Sequence, residues 1–512
     1  MNQVATAPIK EERAAGERVE RVHALLWERY RRRILEHPMM KELAEGKLPM
    51  EVIRGFVKNF HAFVLGINTA IRTLYKREME TFQHNPQLED AFIVKVTDEF
   101  CFPGPGGHIR PLEYFAARVG VSREELVHYR LLPGALAYID GVTSILAHSP
   151  NVPLAEIRAI ALHEEPFGEF CKLWYDALTT HYGISPQDAD YFYVHYKHDL
   201  SEHDGAMGHG EYNKMVLRRL LESDASPKER QGWGIEACAL LGVELFGLLI
   251  DDVYETYHPQ KPSTPRHEEI IISQATRLGE KDVKAELGGL LGLVREAWQS
   301  ILKEPFMLAL RDGSLSRERL VLYVRSSHGY LVEEIAGLAG LYYWHHDWIK
   351  ADHELEDWIT MRIGEGLNKP RMGGSPRVIR QIGAHLGIRE EDFFTSPIPE
   401  AVGYQGWLTK SYQYAPLTEL MAFFLSGDIR KNLLHPVLAD ALVRHYGLRE
   451  EEMADLRQKA NAAEPEVTLR FVKRVALGDH ALFRPGWGLT YAATIQPGMH
   501  RLLLRGVMRH AS

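Results

Sequence analysis

The sequence predicts an all-α protein built from two tandem helical bundles. Apolar residues recur at spacings of three and four along the segments 22–30, 50–77, 154–181 and 189–203, which is typical of amphipathic helices. Alternating patterns of the kind that predict strands are absent from the sequence. In addition, landmarks of the first half return in the second half at a nearly constant distance, which indicates an internal repeat.

The repeat is defined by residue pairs at two offsets. Four pairs are 267 positions apart, and a later tripeptide returns after 264 positions: Pro38 and Pro305, Gly46 and Gly313, His61 and His328, Gly120 and Gly387, then His181-Tyr182-Gly183 and His445-Tyr446-Gly447. The smaller second offset indicates that about one turn of chain is lost between these landmarks. Two copies of one domain are therefore expected.

The domain boundary is predicted at 257–266, where three prolines and polar residues favour an extended linker. The expected domains are 20–256 and 268–510, each a bundle of about seven helices. Helix starts are marked by Ser122 and Ser185, which both precede acidic residues of a first turn, and by Pro186 at a first helical position.

Composition excludes several classes of function. The net charge of −9 is spread along the chain without a basic block, which argues against nucleic-acid binding. Three scattered cysteines are too few for a disulfide framework or a cysteine-based zinc site. No apolar run approaches the roughly 18 residues that span a bilayer, and the first residues lack the apolar core of a signal peptide. We therefore expect a cytoplasmic protein with a small-molecule partner and neither a nucleic-acid nor a membrane partner.

The segment 191–204 is the richest in chemistry. At 100° per residue, Asp199 lies about 40° from His195 on a helical wheel, and Glu202 and His203 fall near the same face. Two other segments offer the same groups, Asp98-Glu99 before His108 and His163-Glu164-Glu165. Imidazoles and carboxylates that project inward from several helices can build a dinuclear iron or manganese site. A solvated helix face is the alternative reading, since the chain has 25 histidines.

The second copy supplies a comparison for these positions. Five candidate positions lose their metal-compatible chemistry there: His108 corresponds to Ser375, Glu165 to Ile429, His195 to Lys459, Asp199 to Ala463 and His203 to Val467. Shared landmarks keep their residue type, whereas these positions change together. The joint loss favours one functional set in the first copy and a structural role for the degenerate second copy.

With these motifs, the chain resembles the heme-oxygenase-like diiron oxidase and oxygenase family, relatives of thiaminase II and pyrroloquinoline-quinone synthase. His37-Pro38, Leu43 to Gly46 and Phe56 to His61 are similar to the first two helices of that superfamily. The resemblance implies six metal ligands: Glu99, His108, Glu165, His195, Asp199 and His203. Asp98 competes with Glu99, Glu164 is adjacent to Glu165, and the family's spacing places the last ligand on Glu202 rather than His203.

The resemblance further implies two Fe(II) ions, or a Mn/Fe pair, with O2 as co-substrate. Expected reactions are N-oxygenation, desaturation or C–C cleavage of a small amino acid, amine or fatty acid. Phe167, Trp174, Tyr191 and Tyr193 are expected around the site or in the plain core, with His198 and His209 beside the ligands. The second copy is expected to pair with the first, as subunits of a homodimer do, and a homodimer of the whole chain is compatible with this arrangement.

Three other functions remain open at this point. The first is a metal-free oxidase of the pyrroloquinoline-quinone synthase type, in which histidines and carboxylates act as acids and bases. The second is a thiaminase-like hydrolase, which needs a nucleophilic cysteine, with Cys171 and Cys101 as candidates. The third is a non-catalytic binding or scaffold protein.

Overall fold

The structure of the 512-residue chain is a computed structural model, and most of the residues that it describes are helical. The residues described are 7–77, 108–128, 130–148, 154–200, 208–222, 234–259, 279–345, 349, 351–368, 374–389, 392–393, 398–458, 464–478, 482–483 and 487–510. Within these ranges the regular structure is helical and includes no strand, so the all-α prediction is confirmed.

The described helices divide between two compact units. Unit 1 is formed by Met1–Val127 and Gly134–Glu268, and unit 2 by Glu269–Ser512 with the short stretch His128–Pro133. The division after residue 268 lies close to the predicted linker 257–266, most of which is outside the described residues.

Among the described residues, eleven helices lie before the predicted linker. They are α1 (Ala7–Tyr30, continued by a π-helical turn at Arg31–Leu35), α2 (Pro38–Ala44), α3 (Met50–Arg77), α4 (Ile109–Arg118), α5 (Arg123–His128), α6 (Pro133–His148), α7 (Leu154–Ala161), α8 (Glu164–His181), α9 (Asp190–Leu200), α10 (His209–Glu222) and α11 (Ile235–Tyr257).

Ten further helices are described in unit 2. They are α12 (Glu280–Ile301), α13 (Pro305–Asp312), α14 (Arg317–Trp344), α15 (His353–Asn368), α16 (Gly374–His385), α17 (Pro399–Tyr414), α18 (Leu417–Tyr446), α19 (Glu450–Gln458), α20 (Glu464–Ala476) and α21 (Leu489–His510). Helices α3 and α14 begin and end 267 positions apart, the offset seen in the sequence landmarks.

The landmark glycines occupy the same backbone conformation in both halves. Each has a positive φ, which glycine adopts without the steric cost that a side chain imposes. The pairs are Gly46 (69°) and Gly313 (81°), Gly120 (84°) and Gly387 (80°), and Gly183 (64°) and Gly447 (77°). These turns explain why glycine stands at both members of each pair.

A tertiary contact is also repeated. In unit 1 the hydroxyl of Tyr182 donates to the carbonyl of Leu48 at 3.1 Å, and in unit 2 the hydroxyl of Tyr446 donates to the carbonyl of Leu315 at 2.9 Å. The donor pair is 264 residues apart and the acceptor pair 267. The repeated hydrogen bond supports an internal repeat of the kind that the sequence predicts.

The core of unit 1 is aromatic and centres on Phe246 of α11. Rings from α3 and α8 surround it, among them Phe60 at 6.2 Å, Phe167 at 6.0 Å and Phe170 at 5.2 Å between centroids. Aromatic pairs at such distances add about 0.5–1.5 kcal/mol each beyond the burial of their area. This core holds α3, α8 and α11 together directly beside the candidate site.

Among the described residues, no helix combines the length and apolar character needed to cross a membrane.

Candidate metal centre

Helix α8 opens with two adjacent carboxylates that face different neighbours. Helix α7 ends at Ala161, a short turn follows, and α8 begins at Glu164. Because successive helical residues are rotated by about 100°, Glu164 and Glu165 cannot point into the same site. Glu164 faces α9 and α10, whereas Glu165 faces α1 and the side of α10 that carries Lys214.

Glu164, Asp199 and His209 form the centre of the site. Each of these residues offers one ligand atom, and the three atoms lie within 4.8 Å of one another. They come from three different helices, α8, α9 and α10. Asn213, one turn beyond His209 on α10, donates to Glu164 at 2.8 Å and orients its carboxylate.

Asp199 binds two imidazoles at once. It accepts hydrogen bonds from Nδ1 of His195 at 3.3 Å and from Nδ1 of His209 at 3.1 Å, and it is almost completely buried. Burial raises the pKa of Asp199, but the hydrogen bonds and charges of His195 and His209 outweigh it and hold that pKa well below its usual range. An ionised carboxylate only accepts, so each Nδ1 carries a proton. Each Nε2 is then the ring atom with a lone pair when the imidazole is neutral.

His195 presents that second nitrogen to the interior. Its Nε2 is buried and has no hydrogen-bond partner among the described residues. The ring of His108, which lies just before α4, is 4.5 Å away and inclined at 70°. The rings of Phe167 and Tyr191 contact His195 at 5.4 and 4.7 Å between centroids. An unpaired polar nitrogen in an aromatic environment is costly unless a ligand binds it.

Glu165 is engaged elsewhere. Its carboxylate lies 2.9 Å from Nε2 of His23 and 3.5 Å from the ammonium group of Lys214. Burial raises the pKa of Glu165, but the hydrogen bond and charge of His23, together with Lys214, lower it below its usual value. Glu165 is therefore an ionised partner of two basic side chains and does not join the cluster around Asp199.

Two glycines allow these helices to approach closely. A Cβ built on Gly168 of α8 would lie 3.1 Å from the Cβ of Asp199, and one on Gly210 of α10 would lie 2.5 Å from the Cβ of Glu165. Contacts this short displace the neighbouring backbone. Glycine at both positions therefore brings α9 and α10 within reach of the carboxylates at the start of α8.

The structure brings together three of the six predicted ligands: His108, His195 and Asp199. Glu165 is described but turned away, and its neighbour Glu164 lies in the cluster instead. Glu99 and His203 lie outside the described residues, as do the alternatives Asp98 and Glu202.

His209 belongs to the cluster although the sequence assigned it only a supporting place. Its surroundings, Gly205, Gly208 and Gly210, are typical of a loop, but His209 is the first residue of α10. Of the expected aromatic residues, Phe167, Trp174 and Tyr191 are buried, whereas Tyr193 is 39% exposed and does not contribute to the core.

The donor set fits a divalent transition metal. Imidazole nitrogens together with carboxylate oxygens suit iron and manganese, and inward-facing groups on several helices are the usual way of holding them in a bundle. Glu164, Asp199 and His209 would hold one ion. His195 borders them through its hydrogen bond to Asp199, and the ring of His108 contacts that of His195.

The corresponding position of unit 2 is neutralised by protein cations. Asp428 stands 264 residues after Glu164 and is fully buried. It pairs with the guanidinium of Arg362, lies 3.6 Å from the ammonium group of Lys431, and accepts a 2.6 Å hydrogen bond from Thr468. Side chains thus supply the positive charge that a metal ion would bring.

Comparison with known proteins gives one family match. Residues 21–159 match the model of the TENA/THI-4/PQQC family, about a quarter of the chain. Over these residues the chain is similar to the members of that helical family. The matched stretch includes His108 and ends five residues before Glu164. No curated protein matches the chain at a significant level.

Proposed function

We propose that unit 1 is an O2-dependent, non-heme diiron oxidase or oxygenase that acts on a small molecule. The observation that carries this proposal is the convergence of Glu164, Asp199 and His209 from three helices within 4.8 Å. The substrate is proposed to be an amino acid, amine or fatty acid, and the reaction N-oxygenation, desaturation or C–C cleavage. Two Fe(II) ions, or a Mn/Fe pair, are the proposed metal cofactor.

The ligands proposed for this centre combine residues that the structure brings together with residues expected from the sequence alone. Helices α8, α9 and α10 contribute Glu164, His195, Asp199 and His209, and His108 approaches from α4. Glu99 and His203 complete the set as sequence-based members. Glu164 replaces Glu165 in this proposal because Glu165 already pairs with Lys214 and His23.

When bound, ferrous iron supplies the one-electron chemistry that converts dioxygen into an oxidant. The chain's own residues prepare the site for it. Asp199 accepts a hydrogen bond from Nδ1 of both His195 and His209 and thereby orients the two rings. Phe167 and Tyr191 cover His195 and exclude water from that side.

Protons near the centre are held by two buried groups. Burial, and then the charge of Glu164, raises the pKa of Tyr138 well above its usual value. Burial, and then the charge of Asp199, likewise raises the pKa of Cys171. Both groups are therefore protonated at neutral pH. A protonated, buried Cys171 is a poor nucleophile, which argues against the thiaminase-like alternative for this residue.

We further propose that the chain arose by tandem duplication, with domains at 20–256 and 268–510, and that only the first copy binds metal. The repeated glycine conformations and the repeated tyrosine hydrogen bond support the duplication. The pairing of Asp428 with Arg362 and Lys431 supports a metal-free second copy, since a cation there would meet positive charge.

The function is tested by O2 uptake of the full chain. Protein loaded anaerobically with Fe(II) is expected to consume O2 and develop a transient visible absorption, whereas metal-free protein does neither. The variant His209→Ala is expected to lose both signals, and His385→Ala, a matched change at a half-exposed residue of unit 2, is expected to keep them. Substrate oxidation that proceeds equally in metal-free protein would contradict the proposal and favour the metal-free oxidase.

A further inference from the structure

The interior of unit 2 is polar at positions where unit 1 is packed with phenylalanine. Three residues of α14 stand 267 positions after phenylalanines of α3. A fourth residue, in α21, corresponds to Phe246 of α11 when the first residues of these two helices are aligned. The pairs are Phe56 and Tyr323, Phe60 and Ser327, Phe63 and Tyr330, and Phe246 and His500. All four polar members are buried. Hydrogen bonds of Tyr323 and Tyr330 with Ser327 satisfy part of this set. Because buried polar groups cost free energy unless they are paired, the groups left over point to a ligand.

These residues line a cavity within unit 2. It encloses about 50 Å³ and is bounded by Tyr323, Ser327, Tyr330, Arg430 and His500. The rest of its wall is largely apolar and comes mainly from α13, α16 and α18. A water molecule needs roughly 10–15 Å³ measured in this way, so the cavity has room for about four water-sized groups.

Arg430 offers hydrogen-bond donors of its guanidinium to this cavity. Its side chain is 3% exposed and lies over the ring of Tyr330 at 5.6 Å. Nη2 donates to both carboxylate oxygens of Glu334, at 2.9 and 3.2 Å, whereas Nη1 is buried and has no partner among the described residues. A guanidinium stays charged at all accessible pH values, so its unused N–H groups require an acceptor.

His500 is the second unsatisfied group. Both of its ring nitrogens are buried without a hydrogen-bond partner among the described residues. Burial, and then the charge of Arg430, lowers the pKa of His500 to about 3, so the ring is neutral at physiological pH. A neutral imidazole offers one donor and one acceptor and adds no charge that would compete with an anion.

We propose that unit 2 binds a short-chain monocarboxylate, with its carboxylate on Nη1 of Arg430 beside His500 and its alkyl body against the apolar wall. Arg430 is the charged residue among those lining the cavity, and no acidic side chain is among them. Charge-assisted bonds between a guanidinium and a carboxylate are stronger than those to a neutral carbonyl. The apolar wall selects an organic acid over an inorganic anion, and the volume suits an acid of butyrate size. This proposal is independent of the metal centre of unit 1.

Calorimetric titration of the full chain with butyrate and with butyramide tests the ligand class. Butyramide has nearly the same shape but no charge. We expect one butyrate bound per chain, at least tenfold more tightly than butyramide. Equal affinities, or no binding of either compound, would overturn the proposal.

Two variants locate the binding. Arg430→Lys keeps the positive charge but removes Nη1 of the guanidinium. Ser327→Phe introduces the phenylalanine that unit 1 carries as Phe60. Each is expected to weaken butyrate binding at least tenfold, while Arg325→Lys, the same change outside the cavity, leaves it unaltered. Circular dichroism identifies folded variants, so either one decides the question if the other does not fold. Undiminished binding in a folded variant would place the ligand elsewhere and refute the proposal.

Discussion

The carboxylate of Asp199 accepts a hydrogen bond from His209 at 3.1 Å across a helix boundary, so the last turn of α9 is joined to the first residue of α10. The same carboxylate orients His195 on its own helix. One buried anion thereby sets the tautomer of two imidazoles. The proposed metal centre depends on this arrangement.

Replacing each of the adjacent glutamates by glutamine separates their roles. Glu164→Gln removes a carboxylate from the cluster. We expect the affinity for Fe(II) or Mn(II) to fall at least about tenfold, which is the lower end of the 10- to 100-fold losses typical of changes around metal sites. Glu165→Gln disturbs only the pair with His23 and Lys214 and is expected to keep metal affinity within about threefold. Competitive titration against a chelator measures both. A larger loss in Glu165→Gln than in Glu164→Gln would return Glu165 to the ligand set.

Cys171 is expected to resist alkylation in the native protein. Its pKa is raised well above the usual range, first by burial and then by the charge of Asp199, so little thiolate forms at pH 8. Mass spectrometry after iodoacetamide treatment should find Cys171 unmodified in folded protein and modified after denaturation. Rapid stoichiometric alkylation of native Cys171 would support a nucleophilic role.

The close approach at Gly210 predicts that alanine destabilises the protein there but not at a glycine with open space around it. Gly210→Ala places a methyl group 2.5 Å from the Cβ of Glu165 and should lower the free energy of unfolding by about 1–3 kcal/mol. The control is Gly288→Ala in α12, where no atom lies within 4 Å and alanine should add about 0.5–1 kcal/mol. Urea unfolding measures both, and equal effects would show that α8 and α10 are not closely packed there.

Stability is expected to depend on pH through His500. Its folded-state pKa of about 3 lies below the value of roughly 6.5 in an unfolded chain, so the unfolded state binds the proton first as pH falls. The contribution of His500 to the free energy of unfolding is therefore fully present above pH 6.5 and is lost towards pH 3. At pH 5 the free energy of unfolding is lower by about 2 kcal/mol. His500→Phe should lose this part of the pH dependence in urea unfolding at pH 7 and 5. The fully exposed His353, changed to Phe, should not, and an unaltered slope in His500→Phe would refute the assignment.

The helical fold could be predicted because its causes are local. Apolar periodicity follows from helix geometry, and Gly46 and Gly313 recur because both turns require a positive φ. The helix around His195 and Asp199 was likewise visible, since an i,i+4 pair shares a face.

The rest of the site depends on contacts that a local pattern does not contain. Glu164 and Glu165 are equivalent in sequence, and only the position of Lys214 and His23 decides which one turns away. His209 follows a glycine-rich stretch that is typical of a loop, and its role depends on where α10 begins. In the polar cavity of unit 2, Tyr323, Ser327 and Tyr330 stand at the landmark offset of 267, but His500 is matched to Phe246 only when the helices are aligned.

The central claim is tested most directly by counting iron in the full chain after anaerobic loading with Fe(II) and removal of unbound metal. We predict about two irons per wild-type chain, as a dinuclear centre in one copy requires. His195→Ala should lose most of this iron, and His385→Ala in unit 2 should retain it. A wild-type chain that binds no iron, or a His195→Ala variant that binds as much as wild type, would contradict a diiron centre in unit 1.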